Sequence, residues 1–508
     1  MNATRFARPL TLFLALIMVL SALAGCTAGG EPQTTQPGGQ TTQPPATEDP
    51  NAGLYDENGY WKDQIPEELD YNRELSILCW ASVANEFACD EYNGQAINDA
   101  LVSRDLNVEE RLNVSLNYLT ELTGGGNAGA ESKRHVELVR AASQSGDLYD
   151  IMAVYGRTAA TLSYQGYLAN ILNIEDSYLN FENPWWTTKL LDELMVGKSL
   201  FLLSGDISPS IYEQPYIMFY NVNMIQNWGL DDPYELVKRN EWTMEVFREY
   251  TKDVEFDANG NPAYGIVSSY YTIPAMVYGC AIRIMERDEE KLLKLSDELF
   301  SEKTIDIVAD LKEWAKEDNF IVADSSPDAK KYFTDGNAMF LIDRLLECFN
   351  FNDISNFSYS VVPTPKYTSE QDRYYTTLDT QLTFFCLMQG LSAEDLTMMS
   401  AVLECLASES YRQVSPAVVK TCLEGRYAQS EQMSEMIRVI VDSVYYDFGR
   451  IYSSTDTDYL CDKAGRIIQG TKSGYETLTW SAYKNSYGPY LERQFQKIVD
   501  KYVELENR

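Results

Sequence analysis

Alternating strand and helix patterns open the apolar part of the chain, and they constrain the fold more than any other feature of the sequence. Residues 74–80 are predicted to form a buried strand, and residues 93–112 carry apolar side chains at helical spacing. A second strand at 114–118, a helix at 131–143 and a third strand at 149–154 follow. This β-α-β-α-β order predicts an α/β fold with a mostly parallel, doubly wound sheet, in which ligands bind at the carboxyl ends of the strands.

Further along, strand and helix patterns continue to alternate without an internal repeat. Helix starts are indicated at Asp232, Thr243 and Ser392, each a residue type that caps helices. Helical segments are expected to dominate from 288 to 319 and from 392 to 441. Strands are predicted near residues 199–203, 216–221, 264–267, 338–342, 359–362 and 383–387.

The first 26 residues have the pattern of a bacterial lipoprotein signal peptide. A basic opening with Arg5 and Arg8 precedes an apolar run at 10–24, and the run ends in the tetrapeptide LAGC at Cys26. Small residues fit a signal-peptidase cleft, and the Cys26 thiol can take a diacylglyceryl thioether. We therefore expect residues 1–25 to be removed and Cys26 to carry the lipid, although an ordinary secretory peptide or an uncleaved membrane helix stays an alternative.

A polar stretch follows the predicted lipid anchor. Residues 26–60 are rich in Thr, Gln, Pro and Gly, and such a composition buries too little apolar surface to fold. This stretch is predicted to be a disordered linker that lets a folded body stand off the extracellular face of the cell membrane. No later stretch is apolar and long enough to span a bilayer, so the lipid would be the only membrane attachment.

Charge and composition narrow the function. The 508 residues include 76 Asp and Glu against 41 Lys and Arg, a formal net charge of −35 that repels nucleic acid. His135 is the only histidine, which argues against a histidine-based catalytic triad and against zinc. The sequence has no P-loop and no dinucleotide fingerprint after a strand, so no cofactor or metal is predicted. Carboxylates are numerous enough that a glycosidase pair stays possible.

Aromatic residues stand beside polar residues at predicted strand ends and turns. Aromatic faces stack on the C–H faces of sugar rings, and nearby charged or amide groups can bind hydroxyls. The alternative is that these side chains fill the core and form hydrogen bonds at its edge. The residues concerned are Trp80, Glu86, Tyr155, Arg157, Trp185, Trp186, Asp206, Tyr212, Tyr220 and Asn221.

Several segments together resemble the extracellular solute-binding proteins of family 1, the lipid-anchored receptors of carbohydrate ABC transporters. Their order along the chain matches that family, while Val222 stands where the family usually has lysine. The matching segments are GKSLF at 197–201, MFYN at 218–221, WGL at 228–230, NEWT at 240–243, AYGI at 263–266, YFTDGNAM at 332–339 and VVPTPK at 361–366.

The resemblance implies a two-lobed, periplasmic-binding-protein-like fold of type II with the ligand cleft between the lobes. Lobe 1 would comprise residues 72–178 and 380–412, and lobe 2 residues 179–375 and 413–508. The resemblance also implies which residues line the cleft. Lobe 1 would contribute Trp80, Glu86, Tyr155 and Arg157, lobe 2 would contribute Asp206, Tyr220, Asn221 and Arg344, and Trp185 and Trp186 would lie near the hinge.

The function implied is capture without catalysis. A lipid-anchored monomer would bind a mono- or oligosaccharide and deliver it to an ABC transporter permease. Two other functions stay open: a protein of the same fold that binds another solute or serves a sensor kinase, and a surface glycosidase.

Overall fold

The structure is a computed structural model that describes residues 54–506, except 57, 125–126, 258–259 and 290–291. The predicted signal peptide, Cys26 and most of the predicted linker lie outside the described residues. The described residues belong to one compact unit.

Eleven strands form two main sheets and one short hairpin in the described residues. The strands are β1 (Arg73–Cys79), β2 (Val114–Leu119), β3 (Ile151–Tyr155), β4 (Tyr216–Asn221), β5 (Tyr264–Ser269), β6 (Met285–Arg287), β7 (Leu293–Leu295), β8 (Phe320–Ala323), β9 (Ala338–Arg344), β10 (Tyr359–Val362) and β11 (Thr383–Cys386).

Helices surround both sheets. In the first half of the chain they are α1 (Ala96–Leu112), α2 (Ala128–Ser145), α3 (Gly156–Tyr164), α4 (Thr188–Leu194), α5 (Ser210–Glu213), α6 (Val222–Asn227), α7 (Pro233–Lys238) and α8 (Met244–Thr251). The later helices are α9 (Pro274–Gly279), α10 (Glu302–Trp314), α11 (Ser326–Thr334), α12 (Glu347–Asn350), α13 (Ala393–Glu409), α14 (Glu431–Asp442), α15 (Phe448–Ile451), α16 (Leu460–Gln469) and α17 (Trp480–Leu505).

The first sheet has the strand order β11-β3-β1-β2. Strand β1 pairs in parallel with β2 and β3, so the parallel sheet predicted from the β-α-β-α-β order is confirmed. Strand β11 adds an antiparallel edge, with Thr383 opposite Tyr155. Because β11 runs antiparallel to β3, its first residue lies at the edge where β1 and β3 end.

The second sheet has the strand order β10-β4-β9-β5-β8. Strand β5 is parallel to β8 and β9, whereas β4 is antiparallel to β9 and β10. Tyr216, the first residue of β4, is opposite Arg344, the last residue of β9. The sheet is buried on both faces, as its near-continuous apolar strands require.

Two chain segments cross between the sheets and lie side by side. Leu203 forms an antiparallel bridge with Phe385, and Pro215 forms another with Leu378. The amide of Asp379 also donates to the carbonyl of Gln214 at 2.9 Å. The sheets are thus joined by paired backbone segments.

The predicted helix caps are confirmed. The side chains of Asp232, Thr243 and Ser392 accept hydrogen bonds from amides two or three residues ahead, at the starts of α7, α8 and α13. Such caps satisfy backbone donors that the first helical turn leaves open.

Two predictions of secondary structure were wrong. Residues 199–203 form no regular strand, because this buried segment crosses between the sheets and is paired only at isolated positions. The described residues between 288 and 301 form no α-helix: they include β7 of the hairpin and a 3₁₀ turn at Asp297–Phe300, and α10 begins only after Ser301 caps it.

Helix α13 continues into π-helical turns at Ser410–Val414 and Ala417–Tyr427. These turns pack against α1 beside the first sheet and against α14, which packs on β10 of the second sheet. The eight cysteines that the structure describes are all free.

Candidate functional site

The two main sheets meet at a cleft formed by the edges where their parallel strands end. Residues after β1 and β9 line one end of this cleft, and residues after β3 and β5 line the other. In α/β sheets the carboxyl ends of parallel strands are the usual place for ligands.

At the centre of the cleft, three of the predicted site residues are linked through the start of β11. The rings of Trp80 and Tyr155 stack with centroids 5.3 Å apart. The Trp80 indole N–H donates to the Thr383 hydroxyl at 3.0 Å, and that hydroxyl donates to Glu86 at 2.9 Å. Trp80 is fully buried, so it supports the cleft from behind its surface in this conformation.

Arg344 faces this cluster from the second sheet. Its guanidinium lies 3.4 Å from Asp379 and 3.2 Å from Glu347. Asp379 also accepts the amide of Thr380, whose hydroxyl is 2.9 Å from the Tyr155 hydroxyl. A chain of polar contacts therefore runs from Arg344 in the second sheet to Tyr155 in the first.

One end of the cleft is a cavity of about 340 Å³ that contains the buried carboxyl group of Glu86 and the half-buried one of Glu213. We call it the acidic cavity; its lining includes Glu86, Glu213, Leu346, Phe349, Asn350 and Arg426. Burial raises the pKa of Glu213 to about 7. Burial and the nearby Glu213 raise the pKa of Glu86 well above its usual range, although Thr383 donates to it. Glu86 therefore favours the protonated form near neutral pH, whereas Glu213 titrates there.

The other end is a larger cavity of about 640 Å³, rich in cations and tyrosines. We call it the basic cavity; its lining includes Arg157, Tyr271, Tyr459, Asp462, Lys463 and Arg466. Arg157 donates to Asp462 at 3.1 Å, and its guanidinium lies 5.4 Å from the centre of the Tyr459 ring. Arg157 comes from the segment after β3, whereas Tyr271 follows β5, so both sheets contribute to this cavity.

The close packing of α16 against the turn between β5 and α9 shapes the basic cavity. A Cβ atom placed on Gly465 would lie 1.9 Å from the carbonyl oxygen of Tyr270, so only glycine permits this approach. The approach brings Arg466 to 3.4 Å from the centre of the Tyr270 ring, in a cation–π contact.

Asp206 is buried among hydroxyl groups. It accepts hydrogen bonds from Tyr212 and from Ser415, the latter at 2.7 Å. Burial raises the pKa of Asp206 to about 6, and the two hydroxyls oppose that shift. Ser415 lies between the two π-helical stretches, so Asp206 ties the crossing segment to that helix.

The remaining predicted site residues have structural partners. The Tyr220 hydroxyl donates to Asp232 at 2.7 Å, and the Asn221 side chain caps α6. The indole N–H groups of Trp185 and Trp186 both donate to the buried Glu404 of α13, at 3.2 and 2.7 Å. We therefore do not include these four residues in the proposed binding surface.

Sequence reasoning missed most of the basic cavity. Tyr271 follows the strand predicted at 264–267, so the strand-end rule could have found it. The residues at 458–475 follow no strand, and no pattern in the sequence connects them to the cleft. Within the described residues, no group of three or more His, Cys, Asp or Glu side chains could hold a metal ion. The described helices also include none with the length and apolar character to cross a membrane.

Comparison with solved structures confirms the predicted fold class. A cyclo/maltodextrin-binding protein in complex with maltotetraose is 10% identical and has a TM-score of 0.52, covering 85% of this chain and 96% of that one. A solute-binding protein from Thermotoga lettingae bound to α-D-tagatose is 14% identical with a TM-score of 0.51, covering 84% and 100%. The GacH receptor of Streptomyces glaucescens is 12% identical with a TM-score of 0.51, covering 85% and 98%.

At these identities the likeness establishes the two-lobed, periplasmic-binding-protein-like fold. No protein-family profile matches the sequence. No curated protein sequence matches it either.

Proposed function

We propose that this protein is a lipid-anchored solute-binding protein that captures a carbohydrate in the cleft between its two sheets and delivers it to an ABC transporter permease. The fold supports this proposal, because the similar structures named above include complexes with maltotetraose and with tagatose. Those structures are binding proteins, which favours capture over catalysis.

One observation carries the proposal: a single cavity has walls from both sheets. Arg157 follows a strand of the first sheet, Tyr271 follows a strand of the second, and both border the basic cavity. Its volume of about 640 Å³ falls within the roughly 300–1,000 Å³ of small-molecule sites. Tyr271 and Tyr459 are exposed there and present aromatic faces of the kind that stack on sugar rings.

A binding site with residues from both sheets couples ligand binding to closure of the lobes. A ligand that contacts both sheets makes all its contacts only when the lobes are closed, so it shifts the population toward the closed state. The permease would then recognise the closed form and favour reopening. The paired crossing segments at Leu203–Phe385 and Pro215–Leu378 are the natural hinge for such a movement.

The anchor and the lobe boundaries belong to the same proposal. Lipid on Cys26 and the linker at 26–60 would hold the receptor beside its permease on the extracellular face of the membrane. Lobe 1 would comprise 72–178 and 380–412, and lobe 2 would comprise 179–375 and 413–508. We propose that the protein acts as a monomer.

Calorimetry of the full-length protein against a panel of mono- and oligosaccharides tests the proposal. We expect saturable binding of at least one saccharide, and we expect Tyr271→Ala to weaken it at least tenfold. Tyr487→Ala is the matched control, because both tyrosines are 43% exposed and Tyr487 does not line the basic cavity. Binding of another class of solute, with no saccharide bound, would contradict the carbohydrate assignment and favour a same-fold protein for that solute.

A glycosidase is the second candidate, favoured by the two carboxyl groups with raised pKa in the acidic cavity. Glycosidases use a pair of carboxyl groups, one of them protonated near neutral pH. Incubation of the protein with the oligosaccharide that it binds distinguishes catalysis from capture. Release of shorter sugars that is lost in Glu86→Gln would establish catalysis, whereas recovery of intact ligand supports capture.

A further inference from the structure

The basic cavity is an exception on a strongly acidic protein. The chain carries a formal net charge of −35. The lining of this cavity nevertheless contains four cations, Arg157, Lys463, Arg466 and Lys472, against the two carboxylates of Asp458 and Asp462.

A second cavity of about 460 Å³ adjoins it and shares Arg157 and Tyr459. That neighbour adds Lys133 and Arg140 with one carboxylate, Glu137. The cationic excess therefore extends along the cleft.

Both carboxylates of the basic cavity form ion pairs with cations of the same cavity. Asp462 pairs with Arg157 at 3.1 Å, and Asp458 pairs with Lys463 at 2.9 Å. Arg466 has no carboxylate partner within the described part of the chain and lies on the Tyr270 ring.

Among the described residues, Lys472 forms its only ion pair with Asp324, at 3.5 Å, and Asp324 lies outside the lining of the cavity. Two cations of the cavity are thus left uncompensated by its own acids. A cleft with an excess of one charge concentrates ligands of the opposite charge.

An aromatic ring, that of Tyr459, is held beside Arg157, another cation of the same cavity. Asp458 and Tyr459 are consecutive residues in the left-handed region, with φ of 53° and 49°. A bulky residue adopts this conformation rarely, and strained residues cluster at functional sites. Tyr459 is 44% exposed, so the strained turn places a partly exposed aromatic ring beside the Arg157 guanidinium.

We propose that the basic cavity binds an acidic sugar residue, whose carboxylate or sulfate ester contacts Arg466 and Lys472 while its ring stacks on Tyr459 or Tyr271. This inference rests on the proposed capture of a carbohydrate and specifies the class of that carbohydrate. A guanidinium matches the two oxygens of a carboxylate or sulfate, and the lysine adds a mobile point charge. A neutral sugar would leave the excess positive charge of the cavity uncompensated.

Matched ligands test this inference by calorimetry on the full-length protein. One pair is a trigalacturonide and its methyl ester, which differ in the charge of the carboxyl groups. The other pair is a sulfated galactobiose and galactobiose. We expect the acidic member of at least one pair to bind at least tenfold more tightly, and the pair that shows the difference identifies the anionic group. Raising the salt concentration from about 0.05 to about 0.5 M should reduce that preference, because salt screens charges in an open cavity.

Charge-removing variants connect the preference to the cavity. Lys472→Gln and Arg466→Gln should each reduce affinity for the acidic ligand about tenfold and thereby lower the preference for that ligand over its neutral partner. Lys189→Gln, an exposed lysine outside the cavity, is the control. Lys472 is 49% exposed at its side chain, so its variant tests the inference even if Arg466→Gln fails to fold.

The outcomes separate the two proposals. Equal or tighter binding of the neutral members would overturn the acidic-sugar inference and leave carbohydrate capture standing. Binding of inorganic sulfate with no saccharide of either kind would overturn both.

Discussion

Lowering the pH should destabilise the folded protein through its only histidine. His135 of α2 is fully buried, and its Nε2 lies 3.2 Å from the carbonyl oxygen of Cys79. Nε2 therefore carries the proton of the neutral ring, and Nδ1 is buried with no hydrogen-bond partner among the residues that the structure describes. Protonating Nδ1 would place a charge in an apolar site. Burial accordingly lowers the pKa of His135 from 6.5 to about 4, although the Cys79 carbonyl and Glu131 oppose the shift.

The size of the effect follows from the difference between the two pKa values. As the pH falls below 6.5, His135 becomes protonated in the unfolded chain, whereas in the folded protein it stays neutral until about pH 4. The stabilisation is complete above pH 6.5 and is lost as the pH falls toward 4. A shift of this size, at about 1.4 kcal/mol per pH unit, corresponds to a loss of about 3 kcal/mol in the free energy of unfolding.

Urea unfolding of the wild type and of His135→Gln between about pH 7 and pH 4 measures this loss. Glutamine keeps an N–H donor for Cys79 and does not titrate. Carboxylates elsewhere titrate in both proteins, so their contribution cancels in the difference between the two. We expect the wild type to lose about 3 kcal/mol more than the variant. A constant difference, or an imidazole NMR signal that titrates near the ordinary histidine pKa of about 6.5, would refute the reasoning.

Three further changes test other parts of the structure. Gly465→Ala should destabilise the protein by about 1–3 kcal/mol, because its Cβ would lie 1.9 Å from the Tyr270 carbonyl, and thermal melts should show a lower midpoint. Glu404→Ala removes the acceptor of three buried side-chain donors and should cost about 3 kcal/mol or more in urea unfolding, whereas the exposed Glu394→Ala on the same helix should cost under about 1 kcal/mol. Cys26→Ala should abolish lipid attachment in intact-mass spectra without changing ligand affinity, and a variant that still carries lipid would contradict the lipoprotein prediction.

The main strands were predictable because local signals marked both their apolar content and their ends. Pro215 directly precedes the apolar segment at 216–221, and Pro363 directly follows the segment at 359–362. Proline cannot donate to a strand ladder, so it tends to mark where a strand begins or ends, and both strands occur with the predicted bounds. The segment at 199–203 shows where prediction of strands from apolar content fails. Its apolar run is buried as expected, but a run that crosses between two sheets has the same composition as a strand inside one.

The candidate site was less predictable because side-chain partners are set by tertiary contacts. Trp80 and Tyr155 stand at strand ends as expected, and they stack on each other. Trp185 and Trp186 are also aromatic residues beside polar ones, in this case at a predicted turn. Both nevertheless donate to Glu404, which lies far later in the chain. A rule based on residue type near a strand end or turn cannot distinguish these two situations.

The unequal ends of the cleft give the proposed ligand a preferred orientation. The acidic cavity contains Glu86 and Glu213 with one cation, Arg426, among its lining residues, whereas the basic cavity leaves Arg466 without a carboxylate among the described residues. An acidic saccharide that entered with its anionic group toward Glu86 would face like charges once these groups ionise, and such a juxtaposition is costly. With the anionic group toward Arg466 it meets an uncompensated cation instead. Charge at the two ends would therefore select both the class of ligand and its direction in the cleft.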